Sequence, residues 1–149
     1  MIKKIRPIIE NLRIQDKLDE LAKYYEELGE DLPSEDEFIE DRLIRRSIEK
    51  TVELIADTII DIAFVLISSL KLDKPQDSRA ALQTLEGHKI ISKHISAKIK
   101  DLVSFRNLLV HRYGKVDSSL EYNCIKENES DIGLFIEEID TYLKKRPIK

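Results

Sequence analysis

Glycine and proline are scarce in this chain, four of each in 149 residues, and cysteine occurs once. A β-sandwich or barrel of many short strands needs frequent Gly/Pro turns, so this scarcity points away from that class. The single cysteine, Cys124, excludes an intrachain disulfide framework and a cysteine-based zinc site. No His or acid stands at a spacing that would make Cys124 a nucleophile, and it reads as a small residue on a helix. Long apolar runs are missing too. The longest, 62–67, is far short of the roughly 20 residues that cross a bilayer, and Asp57 and Asp61 lie just before it. The first residues are basic but lead into no apolar, cleavable signal segment. A cytoplasmic protein without membrane association is the expectation.

Charged residues make up 36% of the chain and hydrophobic ones 42%, which fits a globular rather than a disordered protein. The length suits one domain, 1–149, with one substantial core. Leu, Ile, Lys and Glu abound, and their spacing is helical. Ile8, Ile9, Leu12, Leu18, Leu21 and Leu28 recur at helical intervals between Pro7 and Gly29, with Pro33 beyond as a stop. Ser34-Glu35-Asp36-Glu37 is a capping-box pattern, and no Gly or Pro follows before Leu70, which predicts one long helix. Its second half, 55–70, is apolar nearly all round and calls for burial on several sides. A second chain is one way to cover such a helix. Asp77 or Ser78 predicts a short helix ending near Gly87, and Ser92 or Ser96 a longer one ending by Gly114. Asp117 and Ser118 predict another short helix through Cys124, and Ser130 caps a last one. The fold class is therefore all-α, an up-and-down helical bundle with short accessory helices.

The net charge of −4 hides a polarised distribution. Residues 88–115 hold seven Lys or Arg against one acid, Asp101, and contain all three histidines; 117–140 hold eight acids against Lys126 alone. A basic strip on an acidic protein suits a phosphate backbone, although a solvated helix face has the same composition. Within the strip lies Phe105-Arg106-Asn107-Leu108-Leu109-Val110-His111-Arg112-Tyr113-Gly114. Arg106 and Tyr113 are seven apart and share a helical face, while His111 is offset by about 140° on a regular helix. Gly114 implies an unwinding near His111 that lets the imidazole join Arg106. A guanidinium, an imidazole and a phenol at a helix end combine a phosphate clamp, a proton-transfer group and a hydrogen-bonding hydroxyl. No carboxylate-rich cluster accompanies them, so no metal or other cofactor is expected. Phosphodiester chemistry would then use the RNA 2′-OH as internal nucleophile.

Arg106-Asn107-x-x-x-His111-x-Tyr113 resembles the R-x-x-x-x-H-x-Y signature of the HepT-like branch of the HEPN superfamily. Arg46-Ser47-Ile48-Glu49-Lys50 and Asp61-Ile62-Ala63 resemble that branch's second helix, and the likeness covers roughly 35–145. The resemblance implies a HEPN-like bundle, akin to nucleotidyltransferase substrate-binding subunits. It also implies a homodimer with Arg106 and His111 of both chains in a shared cleft. Members of this branch are ribonuclease toxins of type VII-style toxin–antitoxin pairs. Their partner, an MntA-like minimal nucleotidyltransferase, transfers AMP onto the motif tyrosine, here Tyr113. By this likeness Arg106 holds the scissile phosphate, His111 moves the proton, and Asn107 and Tyr113 support them. RNA, tRNA among the candidates, is the implied substrate. Charge alone adds Lys98, Lys100 and Arg112 as backbone contacts, whereas His88 and His94 read as surface residues. The alternative is a non-catalytic HEPN module that binds nucleotide, RNA or another protein.

Overall fold

The computed structural model describes residues 2–111 and 117–145, with side chains from residue 12 onward. Among them are six helices and no strand: α1 (Ile2–Asp31), α2 (Glu35–Glu40), α3 (Arg42–Ser69), α4 (Ser78–Gly87), α5 (Lys93–Val110) and α6 (Ser118–Lys145). Four long helices form the bundle, and α2 and α4 are the short accessories. α1 contributes Ile14, Leu18, Leu21 and Leu28, spaced so that one stripe faces inward. α3 runs through the middle, packed against α1, α4 and α5, while α6 closes the bundle against α1, α2 and α5.

The apolar second half of α3 is covered inside one chain. Ile55, Ala56, Ile59, Ile62, Ala63, Leu66 and Ile67 are all essentially inaccessible, and only Asp57, Asp61 and Ser68 of that half are exposed. α1 lies on one flank and α4 with α5 on the other, so this burial by itself requires no second protomer.

Three predicted boundaries are corrected. The single helix expected from Ser34 to Leu70 is two, because Asp41 leaves helical geometry at φ −96°, ψ 103°. Its Oδ1 accepts from the Leu43 and Ile44 amides and starts α3 afresh. Arg45 reaches back from α3, its Nη1 donating to the Phe38 and Ile39 carbonyls that α2 leaves open. Conversely, the two helices expected in 118–145 are one. Ser130 lies exposed inside α6, where a hydroxyl on the solvent side costs little. α1 likewise runs past Gly29 to Asp31.

The other caps fall where the sequence places them. Ser34 Oγ accepts from the Glu37 amide, Asp77 Oδ1 from Ala80, and Ser92 Oγ from Ile95. Two C-terminal ends hold a surprise. After α3 and α4 the chain turns through Lys71 and Lys89, both at φ 58°, with Leu72 N–H reaching Ile67 O and Ile90 N–H reaching Leu85 O. These are Schellman turns with lysine where glycine is usual. α2 is pinned to α6 by the Tyr122 hydroxyl on Pro33 O at 2.7 Å and by the Phe38–Tyr122 ring contact at 5.4 Å. Gly133 of α6 permits close approach to α1: a Cβ there would lie 2.8 Å from Tyr25 Oη. Among the described residues no helix is long and apolar enough to cross a membrane.

Candidate active site

α5 presents Ile99, Leu102, Val103 and Leu109 to the core, and Arg106 falls in the same stripe. Its aliphatic stem is therefore drawn inward while its charge must find a partner. That partner is on α3. Arg106 Nη2 lies 2.6 Å from Asp57 Oδ1, with the arginine side chain 23% exposed and the aspartate 50%. Nη1 donates to Asn107 Oδ1 at 2.8 Å. Nε is buried and meets no acceptor among the described residues, an arrangement that costs on the order of 1–3 kcal/mol. Asn107 spends its oxygen on the guanidinium, which leaves its amide N–H groups as donors on an exposed residue.

His111 caps the C-terminal end of α5. Its amide still bonds to Asn107 O at 3.0 Å, but its backbone has left helical geometry at φ −106°, ψ 45°, and its side chain is exposed. The helix thus ends at His111, and among the described residues no hydrogen bond joins the imidazole to Arg106, whose partners are Asp57 and Asn107. Leu108 and Val110 beside it are 52% and 45% exposed, apolar groups bordering a polar cluster. Tyr113 and Arg112 lie outside the described residues.

Of the other cations singled out in the sequence, Lys98 is half-buried. Lys100 is committed to α4: its Nζ donates to Gln83 Oε1 at 2.6 Å and sits 3.9 Å from Glu86. His88 and His94 are exposed, as expected of surface residues. Burial, with Glu127 and Glu121 nearby, pushes the Cys124 thiol up, which opposes thiolate formation and nucleophilic use.

Asp57 is the partner of Arg106 that the sequence did not disclose. Asp57 and Asp61 interrupt an otherwise apolar segment, and each now proves to hold a cation from another helix: Arg106 of α5 and Lys17 of α1, the latter at 3.3 Å.

A groove of about 840 Å³ lies at the opposite end of α5, between the 88–93 turn and α6. Three acids, Glu86, Glu137 and Glu138, line it alongside Lys89, Lys93 and Lys145. Glu138 is further tied to the Ser92 amide and hydroxyl at 2.6 and 2.9 Å. A smaller groove of about 210 Å³ runs along the α4–α5 seam and reaches Asn107.

Comparison with known proteins places this geometry in context. A tRNA nuclease HepT of Aphanizomenon flos-aquae is 25% identical over 136 residues, covering 91% of this chain and 92% of that one. An mRNA nuclease HepT of Shewanella oneidensis is 25% identical over 103 residues, 69% of this chain and 77% of that one. Among solved structures, the tri-AMPylated Shewanella oneidensis HEPN toxin in complex with its MNT antitoxin superimposes with a TM-score of 0.80. It has 22% sequence identity and covers 86% of this chain and 96% of its own, which establishes the shared fold. The family model described as Ribonuclease HepT-like matches residues 14–139, nearly the whole bundle. This chain belongs to the HepT-like ribonuclease family.

Proposed function

We propose that this chain is a metal-independent endoribonuclease, the toxin of a type VII-style toxin–antitoxin pair, built as a single HEPN-like domain. The observation that carries the proposal is the end of α5 in a member of this family. There Arg106 is held by Asp57 and Asn107, and His111 stands at the residue where the helix unwinds. The curated relatives from Aphanizomenon and Shewanella are named as nucleases of tRNA and mRNA, which supports RNA as the substrate class.

In this reading Arg106 binds the scissile phosphate and offsets the charge that builds on its oxygens as the 2′-OH attacks. His111 takes the 2′-OH proton, or delivers one to the departing 5′-oxygen. The 2′-O–P bond forms, the P–O5′ bond breaks, and the products are a 2′,3′-cyclic phosphate and a 5′-hydroxyl. One imidazole cannot perform both transfers at once. A homodimer that brings Arg106 and His111 of two protomers to one cleft supplies the second, and the exposed Leu108 and Val110 are apolar groups that such an interface would cover. Asn107 orients the guanidinium. Lys98 and Arg112 are proposed backbone contacts, as is Lys100 to the extent that α4 releases it.

The antitoxin proposed is a minimal nucleotidyltransferase that places AMP on Tyr113. The AMPylated state of the Shewanella toxin beside its MNT partner supports this regulation. AMP adds bulk and negative charge next to the phosphate site, and both oppose RNA. A second reading, a non-catalytic module for nucleotide, RNA or protein, draws on the Asp57–Arg106 pair, since a guanidinium already neutralised binds phosphate less tightly.

Incubation with tRNA in EDTA tests the reaction: mass spectrometry of the fragments will show 2′,3′-cyclic phosphate and 5′-hydroxyl ends. Salt-sensitive binding of RNA with no turnover would favour the module instead. Incubation with the nucleotidyltransferase and ATP will add AMP to the parent and not to Tyr113→Phe.

A further inference from the structure

We propose that the groove on the α4–α5 seam is a nucleotide subsite, which holds the ribonucleotide adjoining the scissile phosphate; this rests on the ribonuclease reading above. The groove and the proposed active site share one residue: Asn107 lines the groove and accepts from Arg106 of the site. With its oxygen engaged by Arg106, Asn107 offers only N–H donors to the groove.

The groove's remaining groups sort by whether they are already occupied. Asp77 Oδ1 is turned to the Ala80 amide as the α4 cap, and Lys100 is held by Gln83 and Glu86. Arg79 is different: it is exposed and makes no hydrogen bond or ion pair with the described residues. The hydroxyls of Ser78 and Ser104 stand on either side of the seam. The groups without a bond to the described residues are thus a guanidinium, an amide N–H pair, two hydroxyls and the second oxygen of Asp77, a set in which donors predominate and which suits a phosphate and ribose hydroxyls. Leu82 and Val103 supply an apolar floor for the face of a sugar or base. About 210 Å³ accommodates one nucleotide unit rather than a folded RNA element. The larger groove at the other end of α5 is less suited to a phosphate, since as many acids as lysines line it.

The test compares Arg79→Glu and Ser104→Leu with the parent. Ser104→Leu fills the groove without changing charge. Lys23→Glu controls for net charge, on α1, which packs against α3 and α6 rather than on the seam. Steady-state cleavage of RNA gives kcat and KM. Fluorescence anisotropy with a fully 2′-O-methylated, mixed-sequence single strand of about 12 nucleotides gives affinity without turnover. Arg79→Glu and Ser104→Leu will each weaken binding and raise KM about tenfold with kcat within about twofold, and Arg79→Glu will lower the salt slope by about one. Lys23→Glu will do neither. Cleavage by the parent with unchanged KM and affinity in both seam variants would overturn the subsite and leave the nuclease reading intact. An uncut RNA whose binding still depends on Arg79 and Ser104 would uphold the subsite and remove the nuclease.

Discussion

Arg106 of α5 and Asp57 of α3 face each other at 2.6 Å, joining the proposed phosphate-binding group to the central helix of the bundle. Half-exposed ion pairs contribute little to stability, about 0–1 kcal/mol. Their effect on geometry is separate. With Asp57 removed, Asn107 alone orients the guanidinium. Asp57→Ala will therefore lower kcat about tenfold while KM stays level or falls, since a competing carboxylate has gone. Thermal unfolding will be almost unchanged. A rise in KM with unchanged kcat would assign Asp57 a different role.

Asp41 separates α2 from α3 by accepting two amides at the start of α3. Asp41→Ala should cost about 1 kcal/mol in urea denaturation, and Asp41→Asn far less, because asparagine caps nearly as well. Equal losses in both variants would place the effect in charge rather than capping.

Lys89 adopts φ 58° at the turn that joins α4 to α5. A side chain in the left-handed region is unfavourable by about 1–2 kcal/mol. Lys89→Gly will thus raise stability by about 1 kcal/mol less the entropy that glycine adds to the unfolded chain. Chemical denaturation midpoints will show the sign.

Cys124 has its thiol pushed up by burial, with Glu127 and Glu121 adding to the effect. A raised value means less thiolate at any pH below it. Iodoacetamide will accordingly label the folded protein more slowly at pH 8 than it labels the urea-unfolded chain, and the gap will narrow as pH rises. Equal rates at pH 8 would contradict the shift.

These outcomes bear on how far the sequence discloses the molecule. Caps with a single nearby amide partner were legible: Ser34, Asp77 and Ser92 all start helices. Ambiguity arose where the same residue types serve both as caps and as solvent-facing interior residues. Asp41 caps with no glycine or proline to announce it, whereas Ser130 lies quietly inside α6. The Arg106–His111 spacing was visible, and so was a helix end near it. Asp57 was not, because its partnership joins helices far apart in sequence and depends on how α3 packs on α5. The apolar girth of α3 was legible too, but what covers it is a tertiary fact: α1, α4 and α5 bury it.

The central claim is that Arg106 and His111 cut RNA together. Its most direct test is cleavage of an end-labelled RNA in EDTA by the parent, Arg106→Ala and His111→Ala, with helicity checked by circular dichroism. The expected result is cleavage by the parent and a loss of about 100-fold or more in each folded variant. Cleavage at the parental rate by both variants would contradict it.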